Sequence, residues 1–228
     1  MNIVVIGAAK GLGLCLTEQL LEKGCRVAAG TISITDELSS MKVKYPDSLL
    51  IFETDITDEK QIEEGVQKCH EFFDKIDSIC IVAGVLLESD RTKLLHQCDI
   101  DTLRKTFEVN LYGPIAVVKH FYPLLDDGAN VFVVTSEGVA ISNCGSWIPC
   151  YGLSKSSATK ACGILNQSVA NINFYAVHPG RMNTDMGRTT AQIEPEESAQ
   201  GFCRLLCGEI NLSRENWYID YLGNKMDW

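Results

Sequence analysis

The segment Tyr151-Gly-Leu-Ser-Lys155 carries a phenol and an ammonium four residues apart. In a helix this spacing brings the two side chains to one face, one turn apart. A free tyrosine has a pKa of about 10 and is a poor acid-base catalyst at neutral pH. A neighbouring ammonium stabilises the phenolate and is expected to lower this pKa, which would let the pair move a proton to or from a substrate oxygen. Such pairs are also frequent on ordinary helix surfaces, so the rest of the chain decides what this one does.

The start of the chain predicts a ligand-binding site that could serve that chemistry. The apolar run Ile3–Ile6 is followed at once by Gly7-Ala-Ala-Lys-Gly-Leu-Gly13, and a helical pattern then ends at Gly24. Glycines let the backbone turn sharply and approach a ligand, and the N–H groups at a helix N-terminus attract phosphate. The arrangement predicts a dinucleotide site, although its spacing Gly-x-x-x-Gly-x-Gly differs from the commoner Gly-x-Gly-x-x-Gly.

Together these motifs resemble the short-chain dehydrogenase/reductase family, and the resemblance runs along nearly the whole chain. Asn110 matches the family's helix asparagine, Ser136 ends the apolar run before it, and a Pro-Gly pair follows His178. The segment 178–185, with the acidic stretch 194–198 and the ending 220–228, looks most like the C-factor-like branch of the family.

The resemblance implies a catalytic set of four residues. In reduction, Tyr151 would give its proton to a carbonyl oxygen while Ser136 donates a hydrogen bond to the same oxygen. Lys155 would lower the tyrosine pKa and hold the nicotinamide ribose, and Asn110 would kink its helix and position a water. The substrate is then a small carbonyl compound or alcohol, and Trp147, Ile148 and Cys150 are candidates for an apolar wall beside it.

The resemblance also implies that the cofactor lies across the ends of several strands. Asp55 stands where family members keep an aspartate near the adenine ring. The segment after His178 resembles the one that holds the nicotinamide. The implied cofactor contacts are Gly7, Lys10, Gly11, Leu12, Gly13, Thr31, Asp55, Ile56, Ala83, Gly84, Asn110, Tyr151, Lys155, Pro179, Gly180, Met182 and Thr184.

The residues around the predicted second strand bear on cofactor choice. Gly30 and Thr31 stand where an acidic residue would bind the ribose 2′-hydroxyl of NAD and repel a 2′-phosphate. Lys10 lies in the glycine turn, where relatives that prefer NADP commonly carry a basic residue. NADP(H) is therefore the favoured cofactor and NAD(H) the alternative.

The chain departs from the family pattern in three places, and one of them is Ile6, where many relatives carry a threonine that fixes the glycine turn. Ile81-Val-Ala-Gly84 stands where the family usually has Asn-Asn-Ala-Gly, so side-chain contacts of those asparagines to the sheet are expected to be missing. The gap between Ser136 and the Tyr-Lys pair is slightly longer than usual, which leaves Thr135 and Ser142 as lesser candidates for the serine role.

Six or seven apolar runs alternate with helical stretches along the chain. This alternation predicts an α/β fold with a single doubly wound, Rossmann-type parallel sheet flanked by helices on both faces. No repeat or linker divides the chain, so residues 1–228 are expected to form one dinucleotide-binding and catalytic domain. The predicted strands are Ile3–Ile6, Arg26–Ala29, Leu49–Glu53, Ser78–Val82, Val131–Thr135, Asn173–Val177 and a short one near Tyr218–Asp220.

Charge, hydropathy and cysteine content limit the classes of binding partner expected for this chain. A net charge of −10 disfavours nucleic acid and anionic membrane surfaces, and no apolar run is long enough to span a bilayer. The ten cysteines are scattered, and neither Cys69-His70 nor His96-Gln-Cys98 completes a recognisable zinc spacing. Reduced thiols, no metal and a cytoplasmic location are the resulting predictions, and His178 is expected to be a structural loop histidine.

Two helices suggest self-association. The predicted helix Leu111–Leu125 has a broad apolar stripe, and the helix after Tyr151 carries small residues that permit close packing. Relatives pair through these two helices, so a homodimer or homotetramer is expected. Two other functions stay open: a non-catalytic nucleotide-sensing or signalling protein on the same fold, and epimerisation or dehydration of a nucleotide sugar. The residues that suggest pairing are Leu111, Ile115, Val118, Tyr122, Leu125, Ser156, Ser157, Ala158 and Ala161.

Overall fold

A computed structural model describes residues 1–141, 144–187 and 191–227. Its strands form one parallel sheet, which confirms the predicted α/β, doubly wound architecture. In chain order the strands are β1 (Asn2–Ile6), β2 (Arg26–Thr31), β3 (Leu49–Glu53), β4 (Ile76–Ile81), β5 (Leu125–Val134), β6 (Asn173–His178) and β7 (Tyr218–Asp220). The α-helices are α1 (Gly11–Glu22), α2 (Asp36–Lys44), α3 (Glu59–Phe72), α4 (Ile100–Phe107), α5 (Gly113–Phe121), α6 (Pro149–Ser168) and α7 (Pro195–Leu206).

Helices cover both faces of the sheet. Alternate residues of β1 enter opposite cores: Val4 and Ile6 pack on the side of α3, α5 and α6, whereas Ile3 and Val5 pack on the side of α1, α2 and α7. Burial on both faces explains why the strands are continuous apolar runs and not alternating ones. Across the described residues, none of the helices combines the length and the apolar composition needed to cross a bilayer.

The order of the strands creates a crevice. The sheet runs β3-β2-β1-β4-β5-β6-β7, so the chain reverses direction across the sheet between β1 and β4. At such a switch point the connections after the two strands leave on opposite faces, and ligands bind outside the carboxyl ends. The loops after β1 and β4 are therefore the expected walls of the site.

Backbone contacts hold these two loops together. The amides of Val82 and Ala83 donate to the Ile6 carbonyl at 2.8 and 3.0 Å. A Cβ on Gly7, whose φ is +94°, would lie only 2.7 Å from the Ala83 nitrogen. The close approach of the two loops thus needs glycine at position 7, and the backbone bonds join the strands without the asparagine side chains that the family pattern usually supplies.

The structure corrects two predicted boundaries. The helix predicted over Leu111–Leu125 ends at Phe121, because Tyr122–Leu124 forms a 3-10 turn and Leu125 already begins β5. β5 is longer than the predicted Val131–Thr135 because its first residues continue past a register shift against β4 between Ile76 and Ser78. Apolar periodicity could not separate the helix from the strand, since Leu125 is buried in both assignments.

Candidate active site

The glycine turn forms a cradle at the N-terminus of α1. Gly11 has a φ of +53°, and a Cβ on Gly13 would lie 2.1 Å from the Gly7 carbonyl oxygen. Lys10 is the residue before the helix, and its side chain makes no capping hydrogen bond. The first-turn N–H groups of α1 thus lack a capping side chain. The glycines beside them carry no side chain that would keep a ligand away from the backbone. This donor set fits an anionic pyrophosphate.

An ion pair lies across this turn. The Lys10 ammonium is 2.9 Å from a carboxylate oxygen of Asp185, which lies in the segment after β6. Both side chains are mostly exposed, at 79 and 87 %. Water screens such a pair, so it contributes little to stability and does not prevent Lys10 from binding a ligand.

The other residues predicted to contact the adenosine half of the cofactor differ in burial and in their hydrogen bonds. Thr31 is buried and its hydroxyl donates to the Ser33 carbonyl at 2.9 Å. Asp55 accepts from the amide and the hydroxyl of Thr57 at 2.9 and 2.8 Å. Ile56 is buried, with its side chain against Gly113 at the start of α5. Their roles as cofactor contacts stay predictions.

The segment after β6 is held by contacts with α7 and with the residues just before α7. The Pro179 carbonyl accepts from the Ser198 hydroxyl at 2.6 Å, and Met182 forms an isolated bridge with Ile193. Gly180 has a φ of +79°. Thr184 approaches the glycine turn, since its methyl would lie 3.6 Å from a Cβ on residue 11. This segment, which follows β6, therefore reaches the glycine turn that follows β1.

Asn110 lies in a π-helical turn, Glu108–Tyr112, between α4 and α5. It is fully buried, and its amide group bonds both backbone groups of Val85 at 2.8 and 2.9 Å. Its Nδ2 also donates to the Ser154 hydroxyl at 3.0 Å, and Ser154 in turn donates to the Tyr151 carbonyl at 2.8 Å. Asn110 thus lies where the α-helical hydrogen-bond pattern is interrupted, and π turns of this kind often occur at functional sites.

Lys155 is a buried lysine, with only 3 % of its surface exposed. Its ammonium donates to the Val134 carbonyl at the end of β5, at 2.8 Å. A Cβ on Gly84 would lie 3.0 Å from the Lys155 nitrogen and 3.1 Å from the Asn110 amide oxygen. The three residues therefore meet at the carboxyl ends of β4 and β5, and burial lowers the pKa of Lys155 to about 8.

Tyr151 lies on the same face of α6, as its spacing predicts, but its acidity differs from the prediction. The Lys155 ammonium is 5.8 Å from the centre of the tyrosine ring. Burial raises the pKa of Tyr151 to about 12, whereas a nearby ammonium alone would lower it. The expectation of a lowered pKa is wrong for the ligand-free site, because desolvation outweighs an ammonium that is already bonded to Val134.

Ser136 follows β5, two residues beyond the carbonyl that binds Lys155. Its hydroxyl oxygen accepts from the Gly138 amide at 3.3 Å, which leaves the hydroxyl proton to be donated elsewhere. Thr135 is 1 % exposed and so is a poor alternative for contact with a substrate. Ser142 lies outside the described residues. Of the described hydroxyls considered for this role, Ser136 is therefore the accessible one.

Asp90 is a site residue that the sequence reasoning missed. Its carboxylate is 1 % exposed and accepts from the backbone amides of Cys150 and Tyr151 at 2.9 and 2.8 Å. It thus caps the N-terminus of α6, where a negative charge is favoured. Ile148, just before α6, has a φ of +48°, which is a strained conformation for a β-branched residue. The cap helps to hold the helix, and with it Tyr151, against that strain.

Two other predictions concern side chains beside the site. Cys150 is fully buried towards Asp90, so its assignment to the wall of a substrate pocket is wrong, whereas Trp147 is 56 % exposed and not part of the core. His178 accepts from the Glu137 amide at 3.1 Å through Nδ1. Burial lowers the pKa of His178. It joins the ends of β5 and β6, as expected of a structural histidine.

Known proteins are similar to this chain in sequence and in structure. A family model described as short chain dehydrogenase matches residues 1–195. An uncharacterized oxidoreductase of Schizosaccharomyces pombe is 31 % identical over 186 residues, which are 81 % of this chain and 72 % of that protein. The carbonyl reductase Sniffer of D. melanogaster is similar in structure, with a TM-score of 0.89, 20 % identity and coverage of 100 and 99 % of the two chains. A carbonyl reductase from Pseudomonas aeruginosa PAO1 in complex with NADP has a TM-score of 0.85, 20 % identity and the same coverage.

The Asp90 cap generates a stability prediction. Asp90→Asn should lower the free energy of unfolding by about 1–3 kcal/mol, because two buried amides lose a charged acceptor. Urea unfolding measures this change, and hydrogen exchange at the Cys150 and Tyr151 amides should become faster. Asp99→Asn is the matched control, since the Asp99 carboxylate is 67 % exposed and its pair with Lys93 is worth little. Equal unfolding curves for Asp90→Asn and the wild type would contradict the assigned role.

Proposed function

The chain belongs to the short-chain dehydrogenase family, and on this premise we propose that it is an NADP(H)-dependent oxidoreductase that interconverts a small carbonyl compound and its alcohol. The observation that carries the proposal is the meeting of Asn110, Lys155 and Gly84 at the carboxyl ends of β4 and β5, with Tyr151 on the same face of α6 as Lys155. A protein that only bound a nucleotide would not need a buried ammonium one helical turn from a partly buried phenol.

Tyr151 is the proton donor in the proposed reduction. Because burial raises its pKa to about 12, the phenol keeps its proton at neutral pH and has one to give. Ser136 has a free hydroxyl proton to donate to the same substrate oxygen. The nicotinamide, when bound, supplies or accepts the hydride.

Lys155 compensates the charge that this proton transfer leaves behind. Once Tyr151 has given up its proton, a tyrosinate remains in a partly buried position. A neighbouring ammonium stabilises it, and with a pKa of about 8 Lys155 is still mostly protonated at pH 7. In the reverse direction Tyr151 must first lose its proton, so oxidation should accelerate as the pH rises.

The choice of NADP(H) rests on charge around the glycine turn. β2 ends in Gly30-Thr31 with no acidic residue to repel a 2′-phosphate, and Lys10 is exposed beside the turn. Asp185 competes for the Lys10 ammonium, so a 2′-phosphate would have to displace it. The P. aeruginosa carbonyl reductase of similar structure is in complex with NADP, which supports the same choice here. Small carbonyl compounds are the proposed substrates because both structurally similar proteins are carbonyl reductases.

The proton-donor role is tested by removing one hydroxyl. Tyr151→Phe should lower kcat for the NADPH-dependent reduction of a panel of small aldehydes, ketones and quinones by about 10²–10⁴-fold, since general acid catalysis contributes that much. Cofactor affinity, measured by fluorescence titration, should change little because the ring is retained. Tyr122→Phe is the control, as its hydroxyl bonds only at the exposed surface. Normal turnover by Tyr151→Phe would refute the mechanism.

Cofactor preference is tested at the ion pair. NADPH should be preferred over NADH by at least about tenfold, because a charge-assisted hydrogen bond to phosphate is worth about 1.5–3 kcal/mol. Lys10→Ala should reduce the ratio of kcat/KM values for the two cofactors, and Asp185→Asn should increase it by releasing Lys10 from its competitor. Equal kinetics with both cofactors, unchanged in both variants, would show that this pair does not read the phosphate.

We further propose that the protein is a homodimer or homotetramer that pairs through α5 and α6. A shallow apolar groove runs between these helices, and Ile115 in its lining and Ile164 on α6 are 43 and 57 % exposed. An exposed apolar face of this kind favours association. The groove is lined by Leu111, Pro114, Ile115, Val118, Val133, Ala158, Ala161, Cys162 and Leu165.

Charge placed on this face should separate the subunits. Ile115→Glu is expected to give a monomer by light scattering at micromolar concentration, because the carboxylate would have to be buried in the interface. Val43→Glu is the control, since Val43 is 83 % exposed on α2, away from the groove. A wild-type protein that is a monomer under the same conditions would contradict the proposal.

A further inference from the structure

Three potential metal ligands meet beside the N-terminus of α6. The carboxylate of Asp90 and the thiols of Cys98 and Cys150 place their ligand atoms within 4.8 Å of one another. They come from a 3-10 turn at Glu88–Arg91, from the segment before α4 and from the start of α6. We propose that they form a binding site for a soft or borderline divalent cation, with Zn²⁺ as the type ion, that joins these three segments.

The distances suit such an ion. Zinc binds thiolate at about 2.3 Å and carboxylate at about 2.0–2.2 Å, so two ligands of a tetrahedral site lie roughly 3.3–3.8 Å apart. Cys98 Sγ is 3.9 Å from Asp90 Oδ1. Closure around an ion therefore needs only a small movement of side chains that already face each other.

Asp90 can bind an ion without giving up its role as a cap. One carboxylate oxygen accepts from the Cys150 amide and the other from the Tyr151 amide. Oδ1 also accepts from the Cys98 thiol, and loss of that thiol proton on metal binding would release its second lone pair to the ion. The two amide bonds orient the carboxylate, as the outer partners of metal ligands usually do.

Charge and protons balance in the proposed binding step. The cluster now carries one carboxylate and two thiols, with a net charge of −1. Zn²⁺ would displace both thiol protons to solvent, and the site with two thiolates, one carboxylate and the ion would again carry −1. Affinity should therefore increase with pH, because protons compete with the ion.

The linear sequence hides this site, which is why no metal was expected. Zinc motifs are recognised by ligands two to four residues apart, whereas here the ligands stand at positions 90, 98 and 150. Cys98 is only partly buried, so an ion has a path from solvent. Among the described residues, this is the one group of three such ligands within that distance.

A second thiol cluster supplies an internal comparison. Cys25 Sγ and Cys207 Sγ are 3.8 Å apart where α7 ends, and Cys203 precedes Cys207 by one helical turn. It has thiols but no carboxylate capping a helix. Its cysteines serve as the alternative location in the experiment.

The test uses the full chain, stripped with a chelator and kept under a non-chelating reductant. Titration with Co²⁺ should show a thiolate-to-cobalt charge-transfer band that saturates at one ion per chain. Zn²⁺ should abolish the band by displacement. Zn²⁺ at about a hundredfold its Kd should raise the Tm by about 5 °C or more, because an ion that binds only the folded state stabilises it.

Cysteine variants locate the ion. Cys98→Ser should lose the band and the Tm shift while keeping the basal activity, and Cys150→Ser should lose the band. Cys144→Ser, at an exposed thiol, should behave like the wild type. Retention of the band in Cys98→Ser, or its loss in Cys203→Ser instead, would overturn the proposal, as would absence of the band in the wild type. These readouts do not depend on turnover, so they stand apart from any failure of the proposed function.

Discussion

The buried ammonium of Lys155 is the group on which the rest of the site depends. Removing a charge from water is costly unless it is hydrogen-bonded, and here the Val134 carbonyl provides that bond. The ammonium thereby ties α6 to the carboxyl end of β5. It also explains the glycine after β4, because a Cβ at position 84 would approach both Lys155 and Asn110 to about 3 Å. Burying this charge costs free energy, and the same burial lowers the pKa of Lys155 to about 8, towards the pH range in which enzymes work.

A catalytic helix with a strained entry needs support from elsewhere in the chain. Ile148 enters α6 in a left-handed conformation, and Asp90 binds the first free amides of the helix from sixty residues earlier. On the other side, Ser154 bonds Asn110, which the π turn directs towards the strand ends. Tyr151 is therefore placed by contacts on both sides of its helix turn, and its position does not rest on the Tyr-Lys spacing alone.

The fold was predictable because it rests on local patterns, whereas much of the site was not. Apolar runs and glycine turns along the chain predict where strands alternate with helices. The four residues assigned to catalysis lie on the elements expected for them. Asp90 and Cys98 carry no local signal, because they meet Cys150 only after the chain has folded. The pKa of Tyr151 was predicted in the wrong direction, since spacing shows the neighbouring charge but not the loss of water around the phenol. The helix over Leu111–Leu125 was overextended because a buried leucine suits a helix and a strand equally.

The central claim is that Lys155 is a buried, charged partner of Tyr151, and its titration tests this most directly. NMR of protein labelled with ¹⁵N or ¹³C at the lysine side chains can follow each ammonium with pH, and Lys155→Met identifies the signal. The account predicts a midpoint of about 8 for Lys155 in the cofactor-free protein, well below that of the exposed lysines. A midpoint equal to that of the exposed lysines would contradict it, because the ammonium would then be in contact with water and not enclosed with the phenol.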